Sequence, residues 1–310
     1  MDRVVVLQPD GSITENAVGG PDRLITPPDT IGPVQEVSWS PDGSQVAIVM
    51  AGPVDADVPS ADVWTVDVAT ATPVEVASGL VGLVRVAWAP DATRLAIAWV
   101  DPVARTGRGL VAVPGVAASA FPFSPLLAAT DASQPAITLV WSDDSRRIAL
   151  VLSFTSQPAT TTAVVAAADG TTLNATDPAT TPIVPDTPSF APDGRTVLVP
   201  TAGLLLDDTG HQVAIDRVDG QPAWLDASTY VGSLALQGRL SLVHLSTPLA
   251  PVALPPALAH LALPTAAPAT RTLLVGDPTT GALSFLDPDA AVAMTVTTPD
   301  GPIAWPIGWL

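Results

Sequence analysis

One short pattern recurs along this chain and limits its fold more than anything else in it. An aromatic residue closes an apolar run, Pro-Asp-Gly or a variant follows, and a second apolar, β-branched run begins. The best copy is Val37-Ser38-Trp39-Ser40-Pro41-Asp42-Gly43-Ser44-Gln45-Val46-Ala47-Ile48-Val49. Others centre on Trp88-Ala89-Pro90-Asp91-Ala92, Trp141-Ser142-Asp143-Asp144-Ser145 and Phe190-Ala191-Pro192-Asp193-Gly194, with aromatics 49, 53 and 49 positions apart. Proline presets φ and glycine accepts a positive one, so each copy predicts a tight β-hairpin. After the first copy, Asp62–Asp67 and Pro73–Val76 read as a third and a fourth strand.

Four antiparallel strands per repeat of about 40–50 residues is the pattern of a propeller blade. Eroded copies follow at Pro222–Val231 and over Leu261–Val275, and Pro302–Leu310 resembles a first strand and turn. At the other end, Arg3–Leu7 and Gly11–Thr14 look like outer strands without an inner partner. The expectation is therefore an all-β chain, residues 1–310 as one β-propeller of about seven four-stranded blades. The N- and C-terminal strands would pair to close it and protect its edges. A six-bladed ring, with the Leu261 copy misread, is the alternative. Gln157–Pro188, rich in Thr, Ala, Asp and Pro, reads as two poor strands within a blade.

Composition agrees with short strands and many turns. Among 310 residues there are 34 prolines and 22 glycines, which would interrupt almost any helix. All 12 basic residues are arginine, and every acid except Glu15, Glu36 and Glu75 is aspartate, a turn-former. The net charge of −18 leaves no basic cluster to displace counterions from phosphate, so a nucleic acid partner is not expected. An anionic membrane surface is disfavoured for the same reason. Leu249–Leu263, the most apolar stretch, carries three prolines and His260, too broken to span a membrane. Met1-Asp2-Arg3-Val4 does not read as a signal peptide.

The aromatic-Ser/Ala-Pro-Asp-Gly hairpin followed by an Ile-Ala-Ile/Val strand resembles TolB-like and WD40-like propeller repeats. The Trp-Asp dipeptide of true WD40 repeats is missing, and Gly-His occurs once, at Gly210-His211. A fainter resemblance is to the propeller half of LpqB-like actinobacterial lipoproteins, a family associated with a sensor-kinase system. That family's lipid-attachment cysteine is absent, since the chain has no cysteine. These resemblances imply a fold that serves many functions.

No catalytic residue is expected. Propeller-gated peptidases keep Ser-His-Asp in a separate domain with a Gly-x-Ser-x-Gly elbow, which does not occur here. His211, His244 and His260 are the only histidines, and each reads as a strand or turn residue. Tyr230 is the only tyrosine and reads as strand filler at a position like that of Val46 or Ile148, not as a sialidase-type nucleophile. No cofactor motif is present. Asp55, Asp57 and Asp62 offer hard oxygen ligands of the kind Ca2+ takes, without the glycine and terminal glutamate of an EF-hand.

Connections between second and third strands are long in three successive repeats, roughly 51–61, 101–108 and 153–162. In propellers such loops share a face with the blade-to-blade links. Arg105 and Arg108 place positive charge there, near Asp55 and Asp57 if blades follow in order. The functional expectation is a non-enzymatic interaction or scaffold module, extracytoplasmic or secreted, presenting that face to a protein partner. Asp55, Asp57, Asp62, Arg105 and Arg108 are its candidate binding residues. A hydrolase acting on glycans or peptides in the central pocket, and a structural subunit of a larger assembly, are the alternatives.

Overall fold

The computed structural model describes residues 3–7, 12–17, 22–26, 33–52, 60–101, 106–114, 119–121, 136–154, 160–176, 179–180, 187–234, 239–246, 248, 252–253, 262–267, 272–276, 283–287 and 292–296. Among these every regular element is a β-strand. An N-terminal sheet contains β1 (Arg3–Leu7), β2 (Ile13–Ala17) and β3 (Arg23–Thr26), in that order. The first four-stranded sheet contains β4 (Val34–Trp39), β5 (Gln45–Ala51), β6 (Ser60–Asp67) and β7 (Thr72–Val81). The second contains β8 (Leu83–Trp88), β9 (Leu95–Asp101), β10 (Thr106–Ala112) and β11 (Ser119–Phe121).

The third sheet has β12 (Ala136–Trp141), β13 (Arg147–Phe154), β14 (Thr160–Ala167) and β15 (Thr172–Ala175), with β16 (Ala179–Thr180) also on β14. The fourth has β17 (Ser189–Phe190), β18 (Thr196–Val199), β19 (Leu204–Asp207) and β20 (Gln212–Ala214). The fifth has β21 (Val218–Asp226), β22 (Thr229–Leu234), β23 (Arg239–His244) and β24 (Val252–Ala253). The sixth has β25 (Ala262–Ala267), β26 (Thr272–Gly276), β27 (Leu283–Asp287) and β28 (Val292–Val296). Within each sheet the strands follow chain order and pair antiparallel, so every sheet is a simple meander.

The repeat is reproduced in register. Trp39 faces Val46, Trp88 faces Leu95, Trp141 faces Ile148, Phe190 faces Val197 and Trp224 faces Tyr230 across the first two strands of successive sheets. Tyr230 thus stands where the sequence put it, and it is fully buried. The N-terminal sheet has three strands, in keeping with outer strands that lack an inner one. The segment expected to supply that strand, 302–310, lies outside the described residues. The Leu261 copy forms a sheet of its own. One expectation needs correcting: β14 is not a poor strand. It pairs with β13 over eight residues, and Ala163, Val164, Val165 and Ala166 are all buried. Small side chains suit the narrow gap between two packed sheets.

The core lies between neighbouring sheets, because each strand alternates its side chains to the two sides. Val46, Ile48 and Met50 of β5 pack toward Ile13 and Ile25 of the N-terminal sheet. The intervening Ala47 and Val49 pack toward Val86, Leu95 and Ile97 of the second. Ala96 and Ala98 of β9 then meet Trp141, Ile148 and Leu150 of the third. Indoles add a directional bond across these seams. Trp88 Nε1 donates to Ser38 O at 3.0 Å, Trp141 Nε1 to Ala87 O at 2.8 Å, and Trp224 Nε1 to Ser189 Oγ at 3.0 Å. Each acceptor residue directly precedes the aromatic of the previous sheet.

Candidate functional site

Meandering sheets have two ends, and the chemistry of the two differs. At one end lie the hairpins between first and second strands and those between third and fourth. The first hairpins share one geometry. Gly43 N–H donates to Ser40 O, Ala92 to Ala89 O, Ser145 to Ser142 O and Gly194 to Ala191 O, all at 2.8–2.9 Å. The aspartate of each turn accepts the backbone N–H two residues on: Asp42 from Ser44, Asp91 from Thr93, Asp144 from Arg146, Asp193 from Arg195. Where serine precedes the turn its hydroxyl joins in, Ser40 to Asp42 at 2.7 Å and Ser142 to Asp144 at 2.6 Å. The third-to-fourth hairpins repeat this with Asp169 and Asp207, and Asp67 accepts the N–H of Thr70, three residues on.

These bonds favour the charged carboxylate. The Ser40 hydroxyl, with Ser44, holds Asp42 below the usual carboxylate range. At Asp144 partial burial is the largest influence and pulls upward. The Ser142 hydroxyl, the Arg146 N–H and the nearby Arg147 charge together outweigh it and bring the group down.

The arginines at this end are tied to acceptors, two of them in neighbouring sheets. Arg94 Nη2 donates to Ser145 O at 2.9 Å and lies over the Trp141 ring, 5.6 Å from its centroid. Arg147 reaches from the third sheet to Asp208 in the fourth, and its Nη1 stands 3.6 Å from Asp144 Oδ2. Arg195 grips the same Asp208 carboxylate at 3.2–3.3 Å. Burial is the strongest influence on Asp208 and acts upward, but the two guanidinium groups prevail and hold it down. Sequence reasoning missed this knot. Its only trace is an arginine right after two of the turns, and nothing in Leu204–Asp208 marks Asp208 as the acceptor.

The opposite end carries the connections between second and third strands. Asp55, Asp57 and Arg105 lie outside the described residues, and so does the expected proximity of Arg105 to Asp55 and Asp57. Parts of the loops read from the sequence belong to strands: 51 and 60–61 to β5 and β6, 101 and 106–108 to β9 and β10, 153–154 and 160–162 to β13 and β14. Asp62 pairs across with Met50, and its Oδ1 accepts the Gly79 N–H at 2.8 Å. Arg108 pairs across with Trp99 and is exposed. Met50 faces the N-terminal sheet and Trp99 the opposite side of the first sheet, so Asp62 and Arg108 are not brought together. Among the described residues Arg108 makes no hydrogen bond or ion pair, and no group of three carboxylates and histidines could hold a metal ion.

The histidines are dispersed. His211 is on a turn, 4.0 Å from Asp207 Oδ2, and His244 Nδ1 lies 3.3 Å from Thr229 Oγ1. His260 lies outside the described residues. Buried Tyr230 has no solvent access from which to attack a substrate.

Neither a family model nor a curated protein matches the chain. Among solved structures, one titled as the eukaryotic initiation factor is similar over 96% of this chain and 63% of its own, with TM-score 0.49 and 12% identity. TolB from Acinetobacter baumannii is similar over 97% and 64%, with TM-score 0.39 and 12% identity. The Dos1 propeller is similar over 94% and 67%, with TM-score 0.45 and 10% identity. The chain spans less than two thirds of the first two. Among the described residues, consecutive antiparallel meanders packed face to face in chain order decide the architecture.

The chain is a β-propeller.

In propeller terms, the hairpin end is one face of the disc, and the connections between second and third strands lie on the other. No helix among the described residues is long and apolar enough to cross a membrane.

Proposed function

We propose that this propeller is a non-catalytic module that presents the face of its second-to-third-strand connections to a protein partner, outside the cytoplasm. The contrast between the two faces carries this reading. On the hairpin face the aspartates are spent on their own turns, Arg94 and Arg147 are spent on neighbouring sheets, and Arg195 is spent on Asp208 of its own sheet. On the other face Arg108 is exposed and uncommitted among the described residues. A rigid scaffold with structural chemistry on one face leaves the other for recognition. Asp55, Asp57, Asp62, Arg105 and Arg108 are the residues proposed to meet the partner.

The test begins with capture from an envelope fraction of the source organism, competed by free protein. Affinity for the captured partner is then compared between the wild type and two variants. Arg105→Glu/Arg108→Glu should weaken binding at least tenfold, while Arg146→Glu, on the hairpin face, should leave it unchanged. The opposite pattern would assign recognition to the hairpin face and overturn the proposal.

A further inference from the structure

The seams between sheets are not all closed by the same chemistry. The first–second, second–third and fourth–fifth seams each carry an indole bond, from Trp88, Trp141 and Trp224. At the third–fourth seam the corresponding residue is Phe190, which has no N–H to give. The apolar contact there sets Ala149, Val151, Ala163 and Val165 against Val197, Val199 and Leu206, with Val140, Phe190 and Leu204 packed beside them. The fourth sheet also has short strands, of two, four, four and three residues.

Polar bonds take the place of the indole. Asn174 Nδ2 donates to Asp207 O at 2.9 Å, and Gln212 Nε2 donates to Asn174 Oδ1 and Ala175 O at 3.0 Å. Arg147 donates to the carboxylate of Asp208, whose side chain is only 10% exposed. Amide bonds do not titrate. The Asp208 bond does. We propose that the third–fourth seam is an acid-operated joint, in which protonation of Asp208 lets the fourth sheet part from the third while the indole-latched seams stay shut.

The charged groups around Asp208 and its two arginine partners support this direction. From the third sheet come Arg147, Asp144 and, beside Asp144, Arg146; from the fourth come Arg195, Asp193, Asp207 and His211. Arg147 is mostly buried, and its Nε has no hydrogen-bond partner. Without Asp208 it keeps only the longer contact to Asp144. Asp144 and Asp208 are both held below the usual carboxylate range, so both contacts are complete above about pH 4 and fail as pH falls through the lowered values. Protonated His211 would approach only Asp207, from an exposed position, and would not replace the Arg147 contact.

Hydrogen exchange read by mass spectrometry on the full chain tests the joint, at neutral pH and near pH 3, corrected for the intrinsic rate. In acid, β18 and β19 should lose protection while β5 and β9 keep theirs. Asp208→Asn should do the same at neutral pH, speeding exchange in β18 and β19 about tenfold, the effect of losing a charge-assisted hydrogen bond. Phe190→Trp, in the Asp208→Asn background, should restore protection by donating to the Val140 carbonyl, as Trp141 does to Ala87. If Asp208→Asn does not fold, Arg147→Gln carries the same test. Uniform loss of protection across all sheets in acid, or unchanged β18 and β19 in the neutral variants, would overturn the proposal.

Discussion

Replacing Ala92 with glycine should stabilise the protein. Ala92 holds φ at +60° in the second hairpin turn, where Gly43 and Gly194 hold +69° in the first and fourth. An L side chain in this region costs roughly 1–2 kcal/mol. Glycine returns roughly 0.4–1 kcal/mol of that through the greater freedom of the unfolded chain. The net gain for Ala92→Gly is then about 0.5–1 kcal/mol. Gly43→Ala should lose a similar amount, because an added Cβ meets nothing within 4 Å. Gly194→Ala should lose more. Its Cβ would stand 2.9 Å from Asp144 Oδ1 and 3.1 Å from Ser142 Cβ, in the turn of the third sheet. That oxygen already accepts the Ser142 hydroxyl and the Arg146 N–H, so it cannot move without loosening both. Crowding of this kind adds about 1–3 kcal/mol. Urea titrations followed by tryptophan fluorescence would read the series as midpoints at constant slope. A lower midpoint for Ala92→Gly, or equal losses at Gly43 and Gly194, would refute the reasoning.

Three further outcomes can be measured on the same protein. Tyr230→Phe should change the urea midpoint by no more than about 0.5 kcal/mol, because the buried hydroxyl has no hydrogen-bond partner to lose. A loss above about 1 kcal/mol would show a partner for that hydroxyl. Trp141→Phe should cost about 1–2 kcal/mol in the same assay, since it removes the bond to Ala87 O and weakens the Arg94 contact. Thermal midpoints should be steady above about pH 4 and fall below it, because the Ser40 and Ser44 bonds at Asp42, and the bonds that outweigh burial at Asp144, are lost as those carboxylates are protonated. Glu36 acts in the opposite sense: burial, against the pull of Arg85, raises it, so its contribution grows as pH falls. Glu36→Gln should therefore make the acid decline begin at a higher pH.

What could be read in advance was whatever local sequence determines. Turn chemistry and two-residue alternation act within one hairpin, so the register from Trp39 to Val46, and its descendant from Trp224 to Tyr230, was visible in the residues. The strength of β14 was not. Its Ala and Thr residues look poor in isolation and become good only against a close neighbouring sheet. The same is true of the seams. An indole that donates to a carbonyl 50 or 54 positions earlier leaves no mark in the sequence beyond the tryptophan itself. Asp208 is one aspartate among many until the third sheet brings Arg147 to it. Of the candidate binding residues, Arg108 is an exposed charge within β10 and not in a loop, and its partnership with the aspartates was drawn from sequence order alone.

Strand alternation sends Asp62 and Arg108 to different sides of the first sheet, so no single pocket built on that pair can form from the described residues. On the proposed reading, contacts to a partner are spread along the rim of this face, blade by blade. That distribution suits a macromolecule better than a small ligand, which needs polar groups converging on one cavity. It also separates the two faces in energetic role. Substitutions at the hairpin end should act first on stability, through turns and seams. Those at the opposite rim should act on binding with little change in the unfolding midpoint.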